Sequence, residues 1–307
     1  MKNFLAGLCL AVTLSCSLTM VGAEELKFTR SEDIVYGRKF GMALTLDVFT
    51  PEKPNGAAVI WIISGGWVSN HDGINVGRAA EFLNRGYTVF AVVHGCQPRF
   101  TIPEAVADLQ RSVRFIKHNA QRWNIDPARI GVTGASAGGH LSLMLGTSSA
   151  EGVESAKDPV DRQSSRVQAV GCFYPPTDFF NYGQPQENAL GRGTLANYKA
   201  PFAFNRLDPT TRTFEPITDA AEIDKIGKMI CPVTHVTADD APALIIHGDA
   251  DKLVPIQQAE VIIAAFEQAK VPCKLVRKPG LAHGWAQSEK DLVTIADWFD
   301  EQLKVKP

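Results

Sequence analysis

The sequence has almost no net charge and no run of basic residues. Its 31 Lys and Arg residues are balanced by 33 Asp and Glu residues, which leaves a formal net charge of −2 over 307 residues. Proteins that bind nucleic acids use clustered positive charge to neutralise phosphates, so we expect no nucleic-acid partner. Hydrophobic residues make up 45% and charged residues 21%, as in an average globular chain. This composition excludes a disordered chain, a collagen-like repeat and a multi-span membrane protein.

Beyond the first residues the sequence contains no long apolar run. Lys2 precedes an apolar stretch at 4–20, and the small residues Val21-Gly22-Ala23 follow it. A basic start, a short apolar core and small residues before a cleavage point predict a secretory signal peptide. We therefore expect residues 1–23 to be removed and residues 24–307 to be exported to the periplasm or the medium, without a membrane span. A membrane anchor is the alternative for the same segment.

Few cysteines remain after the leader. Cys96, Cys172, Cys231 and Cys273 are left, and no two of them have the Cys-x-x-Cys spacing of a zinc or redox site. An oxidising compartment permits one or two disulfides among them, and the sequence does not choose among the three full pairings. The sequence predicts no metal site.

Apolar strand-like runs and helix-like stretches alternate along the chain. Strands are predicted at 34–36, 44–49, 57–63, 87–93, 129–133, 167–173, 243–246 and 273–276, and helices before Gly86 and at 103–122, 136–146, 256–270 and 289–303. This alternation predicts an α/β domain with a mostly parallel central sheet and helices on both faces. Residues 175–242 contain no clear strand and are rich in aromatic residues. We expect them to form a cap-like or lid-like insertion, with an excursion packed away from the site as the alternative.

A Gly-x-Ser-x-Gly motif, Gly134-Ala135-Ser136-Ala137-Gly138, lies between a predicted strand and a predicted helix. This is the context of a nucleophile elbow, in which the flanking glycines permit a tight turn and the serine is presented above the sheet. The same residues approach the Thr-Gly-x-x-x-Gly-x-Gly turn of short-chain dehydrogenases. That pattern requires glycine where His140 stands and belongs on the first strand of a domain, so the nucleophile interpretation is favoured.

A serine nucleophile needs a base and an acid that orients the base. Asp249 and Asp251 both follow the predicted strand at 243–246, and Asp251 is favoured because it lies further into the loop. His283 follows the last predicted strand in a glycine-flanked loop and is the candidate base. His247 is expected to brace the acid loop.

The segment Ser64-Gly65-Gly66-Trp67 follows another predicted strand. Adjacent glycines let backbone N–H groups approach a substrate. We predict that the N–H groups of Gly65, Gly66 and Ala137 form an oxyanion hole. The side chains expected to line the substrate pocket are Trp67, His94 and Trp285.

Taken in order, these motifs resemble the α/β-hydrolase superfamily. More narrowly, they resemble carboxylesterases of the hormone-sensitive-lipase and feruloyl/acetylxylan-esterase-like groups. The matching residues are Gly65-Gly66-Trp67, Asp126-Pro127-x-Arg129-Ile130-Gly131, Gly134-x-Ser136-Ala137-Gly138-Gly139, His247-Gly248-x-x-Asp251-x-x-Val254-Pro255 and His283-Gly284. The resemblance implies an α/β-hydrolase fold, a Ser136–Asp251–His283 triad and an acyl-enzyme intermediate. It also implies hydrolysis of small-molecule or polysaccharide-linked carboxylic esters without a cofactor.

The chain departs from the family pattern in two places. The usual His-Gly-Gly-Gly is Ile63-Ser64-Gly65-Gly66, so the histidine that braces this loop in the family is absent and Ser64 is a partial replacement. The usual Asp-Tyr-Arg-Leu after the next strand is replaced by Val93-His94-Gly95-Cys96. Two other functions stay open: a peptidase of the prolyl-oligopeptidase type and a non-catalytic binding protein on a hydrolase scaffold. The sequence does not identify the ester.

Overall fold

The computed structural model describes residues 26–286 and 288–304, without the side chain of Glu289. The predicted signal peptide lies outside the described residues. Within them, no helix combines the length and the apolar character that a membrane crossing requires.

One eight-stranded sheet forms the centre of the molecule, with the strand order β1-β2-β4-β3-β5-β6-β9-β10. The strands are β1 Phe28–Lys39, β2 Met42–Pro51, β3 Ala58–Ile63, β4 Thr88–Val93, β5 Ile130–Ala135, β6 Ala169–Phe173, β7 Asn205–Leu207, β8 Phe214–Pro216, β9 Ala243–Gly248 and β10 Cys273–Lys278. The helices are α1 Val76–Asn84, α2 Ile102–His118, α3 Ala137–Thr147, α4 Ala220–Met229, α5 Gln257–Ala269 and α6 Leu292–Gln302. β1 and β2 pair antiparallel, as do β2 and β4, and the other neighbours in this sheet are parallel. This confirms the predicted α/β-hydrolase fold with its mostly parallel sheet.

The central strands are buried because helices cover both faces of the sheet. All residues of β3, β6 and β9 are buried. Successive side chains of a strand point to opposite faces, so Ile60 and Ile62 enter one hydrophobic core while Val59 and Trp61 enter the other. Continuous apolar runs in the sequence correspond to this two-sided burial. β1 is an outer strand, and half of its residues are exposed. The apolar run that predicted this strand therefore covered only a part of its length.

The segment 175–242 has more regular structure than the sequence predicted. It contains the short antiparallel pair β7–β8 and the helix α4. The α4 helix begins where the side chain of Asp219 accepts the N–H of Glu222, an N-cap. Thr177 fixes the start of the segment to α5, because its Oγ1 donates to the carbonyl oxygen of Gln258 at 2.5 Å.

The four cysteines of the described residues are free thiols, and Cys172 and Cys231 are buried. The disulfides that export would permit are therefore not formed. Burial raises the pKa of Cys172 and Cys231, so both stay protonated. The Sγ of Cys231 accepts the N–H of Phe179 and contacts the carbonyl oxygen of Gly227, which makes it a packing residue inside the segment 175–242.

Candidate active site

Ser136 lies at a sharp turn between β5 and α3. Its backbone has φ 55° and ψ −119°, a strained conformation for a residue with a side chain. A Cβ at position 134 would lie 2.5 Å from the carbonyl carbon of Gly138, so only glycine fits there. The backbone N–H of Ser136 donates to the carbonyl oxygen of Phe173 at 3.0 Å, which ties the turn to β6. The turn leaves the hydroxyl accessible at the carboxyl edge of the sheet.

Loops after β5, β9 and β10 bring the three predicted triad residues into one hydrogen-bonded line. The Nε2 of His283 lies 2.9 Å from the Oγ of Ser136, and its Nδ1 lies 2.6 Å from the Oδ2 of Asp251. Because a carboxylate only accepts hydrogen bonds, Nδ1 carries the proton and Nε2 accepts from the serine hydroxyl. This geometry allows the imidazole to remove the serine proton.

Asp251 lies in a polar, buried environment that keeps it ionised. Its Oδ1 accepts the N–H groups of Leu253 and Val254, both at 2.9 Å. Burial alone would raise its pKa, but the imidazoles of His247 and His283 and the N–H of Val254 outweigh burial, and the pKa of Asp251 lies well below its ordinary value.

The neighbouring carboxylate has a different position. Asp249 is exposed, and its Oδ1 accepts the N–H of Gly280 at 2.7 Å. Asp249 therefore joins two loops and does not reach His283. His247 braces the acid loop, because its Nε2 donates to the carbonyl oxygen of Val254 at 2.8 Å.

The glycine loop (residues 64–69) supplies fewer free N–H groups than the sequence predicted. The N–H of Gly65 already donates to the carbonyl oxygen of Val68 at 3.0 Å, which corrects the prediction for this residue. Among the described residues, no acceptor takes the N–H of Gly66 or of Ala137. Ala137 is the first residue of α3, where backbone N–H groups have no partner within the helix. Two N–H groups are thus available near Ser136.

The side chains of Trp67, within the glycine loop, and of His94, directly after β4, are packed into the interior rather than exposed in an open pocket. Both are buried, with exposed fractions of 4% and 3%. The Nδ1–H of His94 donates to the carbonyl oxygen of Gly95 at 2.8 Å, which leaves Nε2 to accept from the hydroxyl of Ser64 at 3.0 Å. Burial lowers the pKa of His94 to about 4, so this imidazole is neutral at pH 7.

A second histidine connects the glycine loop to the segment 175–242. The Nε1–H of Trp67 donates to the Nδ1 of His140 at 3.0 Å, and the Nε2–H of His140 donates to the carbonyl oxygen of Ile230 at 2.7 Å. Burial lowers the pKa of His140 to about 4. Phe179 and Phe202 pack their rings against Trp67 at 5.9 and 5.3 Å. The loop, the helix α3 and the segment are therefore one packed unit.

Tyr174 and Arg78 lie beside the site, and the sequence analysis did not identify either of them. The ring of Tyr174 lies 4.6 Å from the ring of His283, and the predicted pocket residue Trp285 packs against Tyr174 at 5.3 Å. Trp285 is half-buried, and its Nε1 donates to Asp291 at 2.9 Å. Arg78, in the first turn of α1, lines two cavities that also contact Ala135. No motif marks Tyr174 or Arg78, because their roles depend on which loops the fold brings together.

Two adjoining cavities contact Ala135, the residue before the nucleophile. The larger, about 520 Å³, lies against the start of the glycine loop and contains Asn70, Asp72 and Asn75. The smaller, about 30 Å³, lies between β5 and β6 and includes Gly134 and Tyr174. The Oδ1 of Asn70 caps a short 3₁₀ helix, His71–Gly73, and the Oδ1 of Asn75 caps α1. The NH₂ groups of both side chains are left as donors toward the larger cavity.

One group of three potential metal ligands occurs among residues 26–286 and 288–304, and it lies away from Ser136. Asp33, Asp47 and His71 have ligand atoms within 4.8 Å of one another. The Oδ2 of Asp47 already accepts two bonds from Arg30, at 2.6 and 2.9 Å, and its Oδ1 accepts the N–H of Asp33. Because the buried carboxylate is satisfied by these donors, the group does not fit a cation site.

Comparison with known proteins connects this geometry to a family. The BD-FAE family profile matches residues 46–266. The chain is 33% identical over 290 residues to an acetylxylan esterase of Xylanibacter ruminicola, covering 92% of this chain and 50% of that protein. It is 27% identical to the probable carboxylic ester hydrolase LipM of Mycobacterium tuberculosis, covering 84% of this chain and 57% of that protein. The chain thus spans about half the length of these curated relatives.

Solved structures show the same fold. A truncated carbohydrate esterase from gut microbiota superposes with a TM-score of 0.70 at 27% identity, covering 91% of this chain and 98% of the other. An acetyl ester-xyloside bifunctional hydrolase from Caldicellulosiruptor lactoaceticus superposes with a TM-score of 0.71 at 21% identity, covering 88% of this chain and 96% of the other. The second comparison supports the fold alone.

Proposed function

The chain belongs to the BD-FAE family, and we propose that it is a carboxylic ester hydrolase whose catalytic residues are Ser136, His283 and Asp251. The observation that carries this proposal is the continuous hydrogen-bonded line from Asp251 through His283 to the hydroxyl of Ser136. The strained turn of Ser136 supports the same conclusion, because strain of this kind persists where it positions a reactive group.

In the proposed mechanism, the Nε2 of His283 accepts the proton of Ser136 as its Oγ attacks the ester carbonyl. Asp251 holds the ring and stabilises the imidazolium that forms. The N–H groups of Gly66 and Ala137 receive the negative charge on the carbonyl oxygen. His283 then gives its proton to the departing alcohol, which leaves an acyl group on Ser136. Water, deprotonated by the same imidazole, releases the acid and restores the serine.

For the substrate, we propose an ester carried by a carbohydrate. The names of two similar proteins, an acetylxylan esterase and a carbohydrate esterase, support this class. The larger cavity beside Ser136 is consistent with it, since Asn70, Asp72 and Asn75 offer donors and acceptors to sugar hydroxyls. A cavity of about 520 Å³ also has room for a sugar ring.

The test of the proposed function compares Ser136→Ala with the wild type on 4-nitrophenyl acetate and on acetylated xylo-oligosaccharides. Loss of the nucleophile in a comparable triad enzyme lowers kcat by about 10⁶, and we expect a loss of several powers of ten. Ser148→Ala is the matched control, because this serine bonds to Met144 at the other end of α3. Retained activity in Ser136→Ala, with circular dichroism like that of the wild type, would overturn the proposal.

We also propose that the protein is exported after cleavage behind Ala23. The support is the basic start followed by the apolar stretch at 4–20. Expression of the full chain should give a periplasmic or secreted product whose mass corresponds to residues 24–307. A product that stays in the cytoplasmic fraction at the full-length mass would contradict this.

A further inference from the structure

Arg78 lies at the edge of the candidate site, and its charge has no partner among the residues that the structure describes. Its side chain is exposed, lines both cavities and forms no ion pair or hydrogen bond with any residue that the structure describes. Arg85, just beyond the other end of α1, is bonded to Glu81, Asp297 and Asp300. Arg85 is thus neutralised by three carboxylates, whereas no described carboxylate neutralises Arg78.

Tyr174 lines the smaller cavity. The residue is 6% exposed, and within 26–286 and 288–304 nothing donates to or accepts from its hydroxyl. The hydroxyl oxygen is not among the fully enclosed polar atoms, so it stays accessible and can donate to a group that enters the cavity. The backbone of Tyr174 also has a φ of 35°, which is rare for a bulky residue and typical of functional positions.

Tyr174 and Arg78 border the same small cavity. Both residues line the 30 Å³ cavity, which has room for a group of a few atoms rather than a ring. Burial raises the pKa of Tyr174, and the charge of Arg78 opposes this effect, so the two groups lie within electrostatic range. Asp72 lines the larger cavity and not the smaller one. Among the described residues lining the smaller cavity, Arg78 is therefore the charged one.

We propose that Arg78 and Tyr174 bind a carboxylate carried by the ester substrate. The guanidinium and the phenol offer several donors, and a carboxylate is a planar group that only accepts. Because Gly134 and Ala135 line the same cavity and directly precede Ser136, the carboxylate would lie a few bonds from the scissile carbonyl. The substrate class is an acidic ester, such as an acylated uronic acid or the half-ester of a dicarboxylic acid. This inference rests on the proposed esterase function.

Two pairs of esters test the proposal and locate the charge. Monomethyl succinate and methyl succinamate differ in having a carboxylate or an amide on the acyl side, and 4-acetoxybenzoate and 4-acetoxybenzamide differ in the same way on the alcohol side. For each pair the measured quantity is the ratio of kcat/KM for the acid to kcat/KM for the amide. The ratio cancels any general loss of catalysis, including a loss caused by the contact of Tyr174 with His283.

We expect Arg78→Gln to lower this ratio about tenfold to a hundredfold in one of the two pairs, which is the effect of losing a hydrogen bond to a charged group. Arg78→Lys should lower it less, because the charge stays while the planar fork is lost. Tyr174→Phe keeps the ring and should also lower the ratio. Arg38→Gln is the matched control, an exposed arginine on β1 that does not line either cavity beside Ser136.

The outcomes separate this inference from the function on which it rests. If both members of a pair are hydrolysed and Arg78→Gln leaves both ratios as they are in the wild type, the carboxylate site is refuted while the esterase function stands. If neither the acids nor the amides nor 4-nitrophenyl acetate is hydrolysed, the function itself fails.

Discussion

The Oγ of Ser64 donates to the Nε2 of His94 at 3.0 Å and joins the ends of β3 and β4 beneath the glycine loop. These strands are parallel neighbours, so both side chains leave the sheet at the same edge. Ser69 adds a second connection, since its Oγ donates to the carbonyl oxygen of Ile63 at 2.5 Å and accepts the N–H of His94 at 3.1 Å. An imidazole from the neighbouring strand thus occupies the bracing role for which the loop itself carries no histidine.

We predict that Ser64→Ala lowers kcat about tenfold or more and changes KM little. The N–H of Gly66 acts on charge that develops only in the transition state, and loss of a whole oxyanion donor costs about 10² to 10³ in kcat. Loosening the loop should cost less than that. Steady-state kinetics on 4-nitrophenyl acetate separates the two constants, with the buried and distant Ser112→Ala as the control. A change confined to KM would contradict a positioning role.

Substitution of the two candidate acids should change kcat by very different amounts. Asp251→Asn should lower kcat by about 10⁴, because the amide favours the wrong tautomer of His283. Asp249→Asn removes only a charge from an exposed turn, because the amide oxygen can still accept the N–H of Gly280, and kcat should change within a few-fold. Kinetics of both variants at one pH decides between them, and a larger loss in Asp249→Asn would overturn the assignment of the acid.

The sheet and the three triad positions were predictable from sequence because they depend on local patterns. Continuous apolar runs mark buried strands, and the motif around Ser136 places a serine between a strand and a helix. The support of the glycine loop was not predictable, because His94 and Ser64 are brought together only by the pairing of β3 with β4. The same holds for the N–H of Gly65, whose acceptor depends on how the loop turns.

The helix α4 was missed for a related reason. Its apolar residues Ile223 and Ile226 are only partly buried and pack on the main core from outside, and charged residues stand between and around them. Its capping residue Asp219, with Glu222 three positions later, is a local start signal that could have identified it.

We predict that Gly65 tolerates an alanine substitution and that Gly66 does not. A Cβ at position 65 would meet nothing within 4 Å, and its backbone does not need a positive φ. Gly65→Ala should therefore retain most of the activity. A Cβ at position 66 would lie 2.8 Å from the ring of Tyr198, and Gly66 has a φ of 55°. Gly66→Ala should displace the N–H and lower kcat at least tenfold. Equal losses in the two variants would show that Gly65 also takes part.

We predict that the protein loses stability at mildly acidic pH, because His94 and His140 are buried as neutral imidazoles. Burial lowers the pKa of His94 and of His140 to about 4, whereas a histidine in the unfolded chain titrates near 6.5. Between these values the unfolded chain binds one more proton per histidine, so the free energy of unfolding falls as the pH decreases. From pH 7 to pH 5 the expected loss is about 2 kcal/mol for each histidine.

Urea unfolding at pH 7 and at pH 5 checks this expectation. His94→Gln and His140→Gln should each remove about half of the pH-dependent loss, whatever they do to stability at pH 7, because glutamine does not titrate. Asp251 contributes in a different pH range, because its pKa is lowered in the folded protein. Its contribution to the free energy of unfolding is complete at pH values above the ordinary pKa of an aspartate, and it is lost only as the pH falls below about 4. A pH 7 to pH 5 difference that persists unchanged in both variants would show that other groups cause it.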